Sequence, residues 1–594
     1  MKRVAVMLRI LAVPALLVAA APASSTALTP PDPAAPRDKV VVQGALGKRI
    51  DDYLTRLEGY GFSGALIVAE KGKIVLEKGY GFADREKKIR TTPDTVFDIG
   101  SITKQFTATA ILKLEEQGRL KVTDPIEKYF PGVPPDKRAI TLHHLLTHTA
   151  GLASDFGGDY DPMPRDEIVR QALMRPLAYP VGEGFHYSNA GYSLLAAIIE
   201  LVSERGYEST LRRSLFLPAG MLQTGYLLPE WRRDDIAQGY VDGEKRPATL
   251  DEPWAPDGPW WNLRGNGGIH STVGDMYRWH LALEGDRILG AQEKEKLLKP
   301  YVQEGGGSHA SYAYGWGIVT TQRKTRLATH NGGNGIFEAD FRRYLDEDIV
   351  IFIASNAEVS GTAVGGRVAR LVFGVDVTPP PKVAPLDAKA LERYAGTYRT
   401  REGSTFEIRR RGDSLELVAP GQAALDALTC ADDAARKVSE ALNRRTGAVL
   451  QAAAKGDYAP IQKALDLPPE EVRQRAGEFW SSSREKLGSF KKLEVLGTRP
   501  GNRESMETGV RLDFELGSSY LVYSWTGEKL EDVRPSEHPP RVILFPVSAA
   551  EFTPFDVESD PEFRVSFQLG AAGAVSSMEI GGKSCLVHAR RGGA

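Results

Sequence analysis

The sequence predicts an α+β protein in which an antiparallel sheet flanked by helices carries an all-helical insertion, and a β-rich module with an α+β insertion of its own follows. Three observations lead there. Strand-like runs occur near both ends of residues 38–377, long apolar helical patterns lie between them, and a proline cluster then opens a second segment whose periodicity changes twice.

Taken in order, Ala65 to Ala69 and Lys73 to Lys78 flank Glu70-Lys71-Gly72 as a strand pair. Ser101 to Glu116 places Phe106, Ala110, Ile111 and Leu114 at three- and four-residue spacing, the stripe of a helix, and Ala190 to Leu201 is more apolar still. Strands return at Arg326 to Thr329, Phe337 to Arg342 and Ile349 to Ser355. The last is nearly continuous in apolar character, as a central strand covered on both faces would be.

Thr378-Pro379-Pro380-Pro381 and Pro385 remove backbone donors and stiffen the chain, so 378–386 reads as a Pro-rich linker at the main domain boundary. Beyond it, Phe406, Ile408, Leu415 and Leu417 alternate around Arg411-Gly412-Asp413 as a hairpin. Residues 431–486 turn helical, and alternation resumes at Leu493, Val510 to Phe514, Tyr520 to Ser524, Val542-Leu544, Phe563 to Phe567 and Val575 to Ile580. The simplest account is a β module at 387–430 and 541–594, interrupted by an inserted α+β domain at 431–540.

The first 23 residues read as a signal peptide: Met1-Lys2-Arg3 is basic, Ile10 to Ala21 is apolar apart from one Pro, and Ala21-Pro22-Ala23 offers a small-residue cleavage site. A spanning helix needs about 20 apolar residues and would not fit. Residues 24–37 then form a flexible leader, and the expected location is secreted or periplasmic, with membrane contact only through an uncleaved signal segment. In an oxidising compartment Cys430 and Cys585 could pair across a loop of more than about 100 residues. The sequence does not set their distance, and two inert thiols are the favoured reading.

At ~150 residues per domain, 594 residues allow up to about four domains. Lys+Arg of 75 against Asp+Glu of 77 leaves a formal charge of −2, so no excess of cations is available to track a phosphate backbone and nucleic acid is excluded as a partner.

Chemistry gathers at three places. Ser101-Ile102-Thr103-Lys104 opens a helical pattern, and i, i+3 spacing puts the Lys104 amine within reach of the Ser101 hydroxyl at the positive end of the helix dipole. A lysine with an ordinary pKa near ~10.4 is a poor base at neutral pH, so this reading requires burial or a neighbouring cation. Alone the motif is weak, since Ser483 to Lys486 and Ser489 to Lys492 match it too. Tyr187-Ser188-Asn189 lies in a loop before an apolar helix, where a phenol could carry protons and a carboxamide could orient an amide or ester; the bland reading has Asn189 capping the helix. His330-Asn331-Gly332-Gly333 ends a β-like stretch, and its glycines permit close approach of a ligand to the backbone, so that an N–H there could complete an oxyanion hole with the N–H of Ser101.

These signals in this order, joined by Phe97-Asp98-Ile99-Gly100 before Ser101, Leu145 to Leu152, Leu217-Pro218-Ala219-Gly220-Met221 and Gly267 to Thr272, resemble the serine β-lactamase and penicillin-binding protein superfamily. The branch is the one around class C β-lactamases, with family VIII esterase and D-amino-acid peptidase relatives, and the likeness spans residues 45–375. It implies a β-lactamase/transpeptidase-like fold in which Ser101 attacks a carbonyl and is acylated while Lys104 and Tyr187 move its proton. It further implies that Asn189 touches the substrate amide, the backbone at Ser101 and Gly333 holds the oxyanion, and His330, Gly332 and Gly333 line the pocket. No metal or cofactor is implied, and the partner is a small-molecule or short-peptide substrate. His330 stands where the family often has lysine; a neutral imidazole offers mainly a hydrogen bond, which widens the substrate class to esters and amides, with β-lactams secondary.

The β module with Tyr394 to Tyr398 and Glu551-Phe552 resembles lipocalin-like modules, and its insertion is similar in outline to NTF2-like folds. These modules suggest an alternative: a catalytically silent shell that binds cell-wall peptides or partners. Other readings fail on residues. Leu145 stands where H-E-x-x-H needs glutamate between His144 and His148, Ser577 replaces the first glycine of a phosphate loop ending at Gly582-Lys583-Ser584, and Ile99 and Thr103 exclude G-x-S-x-G around Ser101.

Overall fold

The computed structural model describes residues 40–305, 309–357, 359–465, 469–501, 505–536, 538–557, 563–570, 573–582 and 585–592. The expected signal peptide at 1–23 and leader at 24–37 lie outside the described residues. Among those described, no helix is long and apolar enough to cross a membrane.

A nine-stranded antiparallel sheet organises the first segment, in the order Val41–Val42, Lys73–Tyr80, Gly64–Glu70, Ile349–Ser355, Glu338–Tyr344, Arg326–Gly333, Gly317–Thr320, Ala310–Tyr312 and Val302–Gln303. The central position of Ile349–Ser355 follows from its composition. Every residue is buried, with Val350, Phe352 and Ala354 entering one core and Ile349, Ile351 and Ile353 the other. Two-residue periodicity on a strand apolar at every position makes both faces sticky, and the molecule covers both. Helices Gly44–Glu58 and Gly361–Val372 cover one face, and the helical insertion between Thr103 and Leu298 covers the other.

The helix Thr103–Glu116 differs from its sequence pattern in one respect. Its 3.6-residue stripe suggests one apolar face, yet Thr103 through Leu112 are all buried. Small polar residues fill the other faces with their hydroxyls satisfied: Thr107 Oγ1 donates to the Gly265 carbonyl at 2.6 Å and Thr109 Oγ1 to the Gln105 carbonyl at 2.7 Å. The helix that follows Ser101 is therefore an axis of the core, which holds its first turn rigidly.

Residues 378–386 lie against the first segment: Tyr60 Oη donates to the Pro381 carbonyl at 2.9 Å. Beyond them, eight strands from Gly396–Thr400 to Leu586–Arg591 close into an antiparallel barrel, consistent with a lipocalin-like module. The last strand pairs with the first at Tyr398 and Arg591. Tyr394, Tyr398, Phe552 and Phe567 pack within it at ring separations of 4.8 to 5.7 Å, so side chains fill the barrel. The chain leaves the barrel after Ser414–Val418 and re-enters at Arg541–Pro546. Between them it forms helices and then a four-stranded antiparallel sheet, with Leu450, Trp480, Val510, Leu512 and Trp525 as its core. Asp242, on a hairpin of the first segment, pairs with Arg411 at 3.2 Å and with Arg541, which docks the barrel onto the sheet domain.

Cys430 and Cys585 are bridged, with Cα atoms 5.8 Å apart, which corrects the expectation of two free thiols. The barrel brings them together although 155 residues separate them in sequence. Replacing both by serine is expected to lower stability by about 2–4 kcal/mol. Urea unfolding with and without reductant measures this, and coincident midpoints would contradict it.

Candidate active site

Ser101 sits where a strand, a tight turn and a buried helix meet. Phe97–Asp98 leads into Gly100 at φ +51, a left-handed conformation that suits glycine, and the 3-10 turn Gly100–Ile102 feeds the helix Thr103–Glu116. Asp98 fastens this turn. Its Oδ1 accepts the Gly100 N–H at 2.7 Å, while its Oδ2 accepts from Thr249 Oγ1 at 2.7 Å and Asn334 Nδ2 at 3.0 Å.

One helical turn on, Lys104 is fully buried, and its Nζ lies 3.0 Å from Ser101 Oγ. The same nitrogen meets two carbonyl oxygens, Asn189 Oδ1 at 2.7 Å and the Asn266 backbone at 2.9 Å. Burial pushes this amine down to about 7, against the pull of Asp155 and Asp159. Nζ thus has three oxygen neighbours, two carbonyls that can only accept and the Ser101 hydroxyl, which can accept from the amine or donate to its lone pair. The Tyr187 phenol shares the cleft with Ser101, and burial holds it above the ordinary tyrosine range. Lys104 Nζ is 4.7 Å from the centre of its ring. Of the two candidate proton acceptors near Ser101, the amine is thus the one available near neutral pH.

Asn189 is not the helix cap. Ser188 caps the helix Asn189–Ser203, its hydroxyl accepting the Gly191 N–H at 3.1 Å. Asn189 faces inward instead, giving its oxygen to Lys104 and donating from Nδ2 to Asp155 Oδ1 at 2.8 Å. Its carboxamide orients the lysine.

The strand Arg326–Gly333 runs through the His-Asn-Gly-Gly motif. A Cβ on Gly332 would stand 2.0 Å from the Ile99 carbonyl oxygen and 2.8 Å from the Ser101 amide nitrogen, so only glycine allows the strand this close to the turn. The register decides where the amides point. Leu345 N–H donates to the Arg326 carbonyl and Asn334 N–H to the Phe337 carbonyl, so even-numbered residues of this strand face Glu338–Tyr344 and odd-numbered ones face the other edge. The neighbour on that edge, Gly317–Thr320, ends opposite Thr329. The Gly333 amide therefore points past the end of its neighbour into the cleft, beside the Ser101 turn.

His330 lines the same cleft. Its Nδ1 is 2.6 Å from the Asn331 carbonyl and must donate, which leaves Nε2 to accept from Tyr312 Oη at 3.1 Å. Burial, with Lys104 nearby, lowers this imidazole to about 4, so it is neutral and both nitrogens are engaged. Ser101, Tyr187, Tyr312, His330, Asn331, Gly332 and Gly333 border a cavity of about 750 Å³. A larger cavity of about 1720 Å³ lies between the sheet domain and the barrel but includes neither Ser101 nor Lys104.

The structure thus gathers Ser101, Lys104, Tyr187, Asn189, His330, Gly332 and Gly333 at one cleft. The other S-x-x-K matches lie elsewhere, on the helix Pro469–Leu487 and at the start of the strand Phe490–Pro500. His144 and His148 do not share a helix, since Leu142–Leu146 ends before His148, and no cluster able to hold a metal occurs among the described residues. Sequence reading missed Asp155, Asn266 and Tyr312. Asn266 immediately precedes the Gly267-Gly268-Ile269 landmark, whereas Asp155 and Tyr312 carry no spacing signal.

The family profile described as Beta-lactamase matches residues 48–372. A penicillin-binding protein of Bacillus subtilis is 30% identical over 397 residues, covering 62% of this chain and 86% of its own. A teichoic acid D-alanine hydrolase of Staphylococcus aureus is 27% identical over 316 residues, covering 52% of this chain and 74% of its own. An octameric penicillin-binding protein homologue from Pyrococcus abyssi shares the fold with a TM-score of 0.52 at 21% identity, over 84% of this chain and 100% of its own. With the serine–lysine pair, the tyrosine and the glycine-edged strand at one cleft, and with most of the sheet domain inside the matched region, the chain belongs to the beta-lactamase family.

Proposed function

We propose that this chain is an exported serine hydrolase that cleaves ester or amide bonds through a covalent acyl-enzyme. The observation that carries the reading is the Lys104 amine, 3.0 Å from Ser101 Oγ and otherwise bound only to carbonyl oxygens. Lys104 takes the Ser101 proton as Oγ bonds to the substrate carbonyl carbon. The carbonyl oxygen becomes an oxyanion between the amides of Ser101 and Gly333. The proton then reaches the leaving oxygen or nitrogen through Tyr187, whose phenol is neutral at working pH and can only relay, and the bond to the leaving group breaks. Water repeats the sequence in reverse and frees the acyl group and Ser101.

The substrate class follows from charge. His330 is neutral and supplies no cation to meet a substrate carboxylate, while Asp155 and Asp159 lie near Lys104. Esters and amides without an obligatory carboxylate fit this cleft better than penicillins. The Staphylococcus aureus relative is named for removing D-alanine from teichoic acid, and D-aminoacyl esters and amides are included in the class. The natural partner is then a small molecule or short peptide, met outside the cytoplasm.

A fluorophosphonate probe followed by peptide mass analysis is expected to label Ser101 and to leave the Ser101→Ala variant unmodified. Label on another residue, or full biological function in Ser101→Ala, would sink the reading and favour a silent binding shell. Tyr187→Phe is expected to lower kcat by about 100-fold or more. With the amine held at about 7, kcat/KM should fall tenfold per unit as pH drops below that value, because protonation removes the lone pair. His330 titrates too low to cause this limb. Asp155→Asn removes a charge that raises the amine, so the limb should move to lower pH; a shift to higher pH would refute the assignment.

A further inference from the structure

His148 follows the short helix Leu142–Leu146 and adopts φ +58, an uncommon conformation for a residue with a side chain. From there it holds the chain on both sides of Tyr187. Its carbonyl accepts the His186 N–H at 2.8 Å, and its Nδ1 accepts the Ser188 N–H at 3.0 Å. Between these two bonds the Tyr187 ring lies 4.3 Å from the imidazole, centre to centre, at an interplanar angle of 33°.

Acceptance at Nδ1 fixes the tautomer, so the proton sits on Nε2. That nitrogen is buried and has no hydrogen-bond partner among the described residues. An imidazole in left-handed backbone with an unsatisfied N–H in the core is a poor choice for stability alone, and each such group calls for a reason. Burial above all holds this ring well below its ordinary range, so the accepting nitrogen stays free of a proton. The ring is nearly closed off from solvent and sits among Phe185, Tyr187, Tyr192 and Tyr312, out of reach of a substrate.

We propose that His148 is a positioning residue that sets the Tyr187 phenol for proton transfer, by bonding the backbone at residues 186 and 188 and packing its ring against the tyrosine between them. This rests on the acyl-transfer reading above. Phe185 and His186 follow a stretch containing Gly182 and Gly184, so the approach to Tyr187 has little stiffness of its own. A displacement of the phenol by about 1 Å costs on the order of 100-fold in rate.

The test is a double-mutant cycle on an activated acyl ester, with thermal melts as a check on folding. His148→Phe keeps a ring without the acceptor; His148→Asn keeps an acceptor at the Nδ1 position and tolerates positive φ. His148→Phe is expected to lower kcat about 10- to 100-fold with KM changed less than about threefold. His148→Asn is expected to restore most of that loss. In the Tyr187→Phe background the same His148 substitutions should cost less than about twofold, because the group being positioned is gone. Should His148→Phe not fold, His148→Asn decides by the same rule, since any loss it causes must vanish when the phenol is absent. Losses that multiply independently of Tyr187, or a fully active His148→Phe, would overturn the proposal. Absence of Ser101 labelling in the wild type would instead sink the acyl-transfer reading, so the two failures are distinguishable.

Discussion

Desolvation of the Lys104 amine is the constraint from which the rest of the site follows, because in the proposed reaction only a neutral amine takes the Ser101 proton. Thr103 through Leu112 of the helix Thr103–Glu116 are buried on every face, and this both removes the amine from water and limits what can surround it. Two carbonyl oxygens, from Asn189 and Asn266, satisfy its N–H groups without supplying a formal charge. Asp155 is kept one residue away, bonded to the far side of the Asn189 carboxamide. A carboxylate in direct contact would hold the proton on the lysine; one relayed through an amide orients the site and leaves the amine near neutrality.

Backbone packing supplies the other half. Gly100 and Gly332 let the Ser101 turn and the strand Arg326–Gly333 approach to a distance that a single Cβ would prevent. Asp98 ties the Ser101 turn to Asn334 just beyond the strand that ends at Gly333. The strand order matters as much as the glycines. Since Gly317–Thr320 ends opposite Thr329, the strand beside it reaches past its neighbour, and the Gly333 amide is left facing the cleft.

The C-terminal half contributes in a different way. Aromatic side chains fill its barrel, so the interior is a core rather than a ligand chamber, and a disulfide closes it across the inserted domain. Asp242 links the sheet domain to Arg411 and Arg541 of the barrel. The barrel is therefore docked against the sheet domain.

Much of this was legible in the residues alone. Strong periodicity located the central strand and the buried helices, and the serine–lysine spacing of three is a property of one helical turn. Relations between distant segments were not legible. Nothing in the spacing of Cys430 and Cys585 states that they meet, because their separation is set by barrel closure. Asp155 and Tyr312 lack a motif, since a side chain reached through space leaves no local pattern. His148 looked like half of a helical metal pair and instead leaves the helix at positive φ to meet Tyr187. Local chemistry thus pointed to the candidate groups, while only packing could determine their protonation, because desolvation depends on everything that surrounds a side chain.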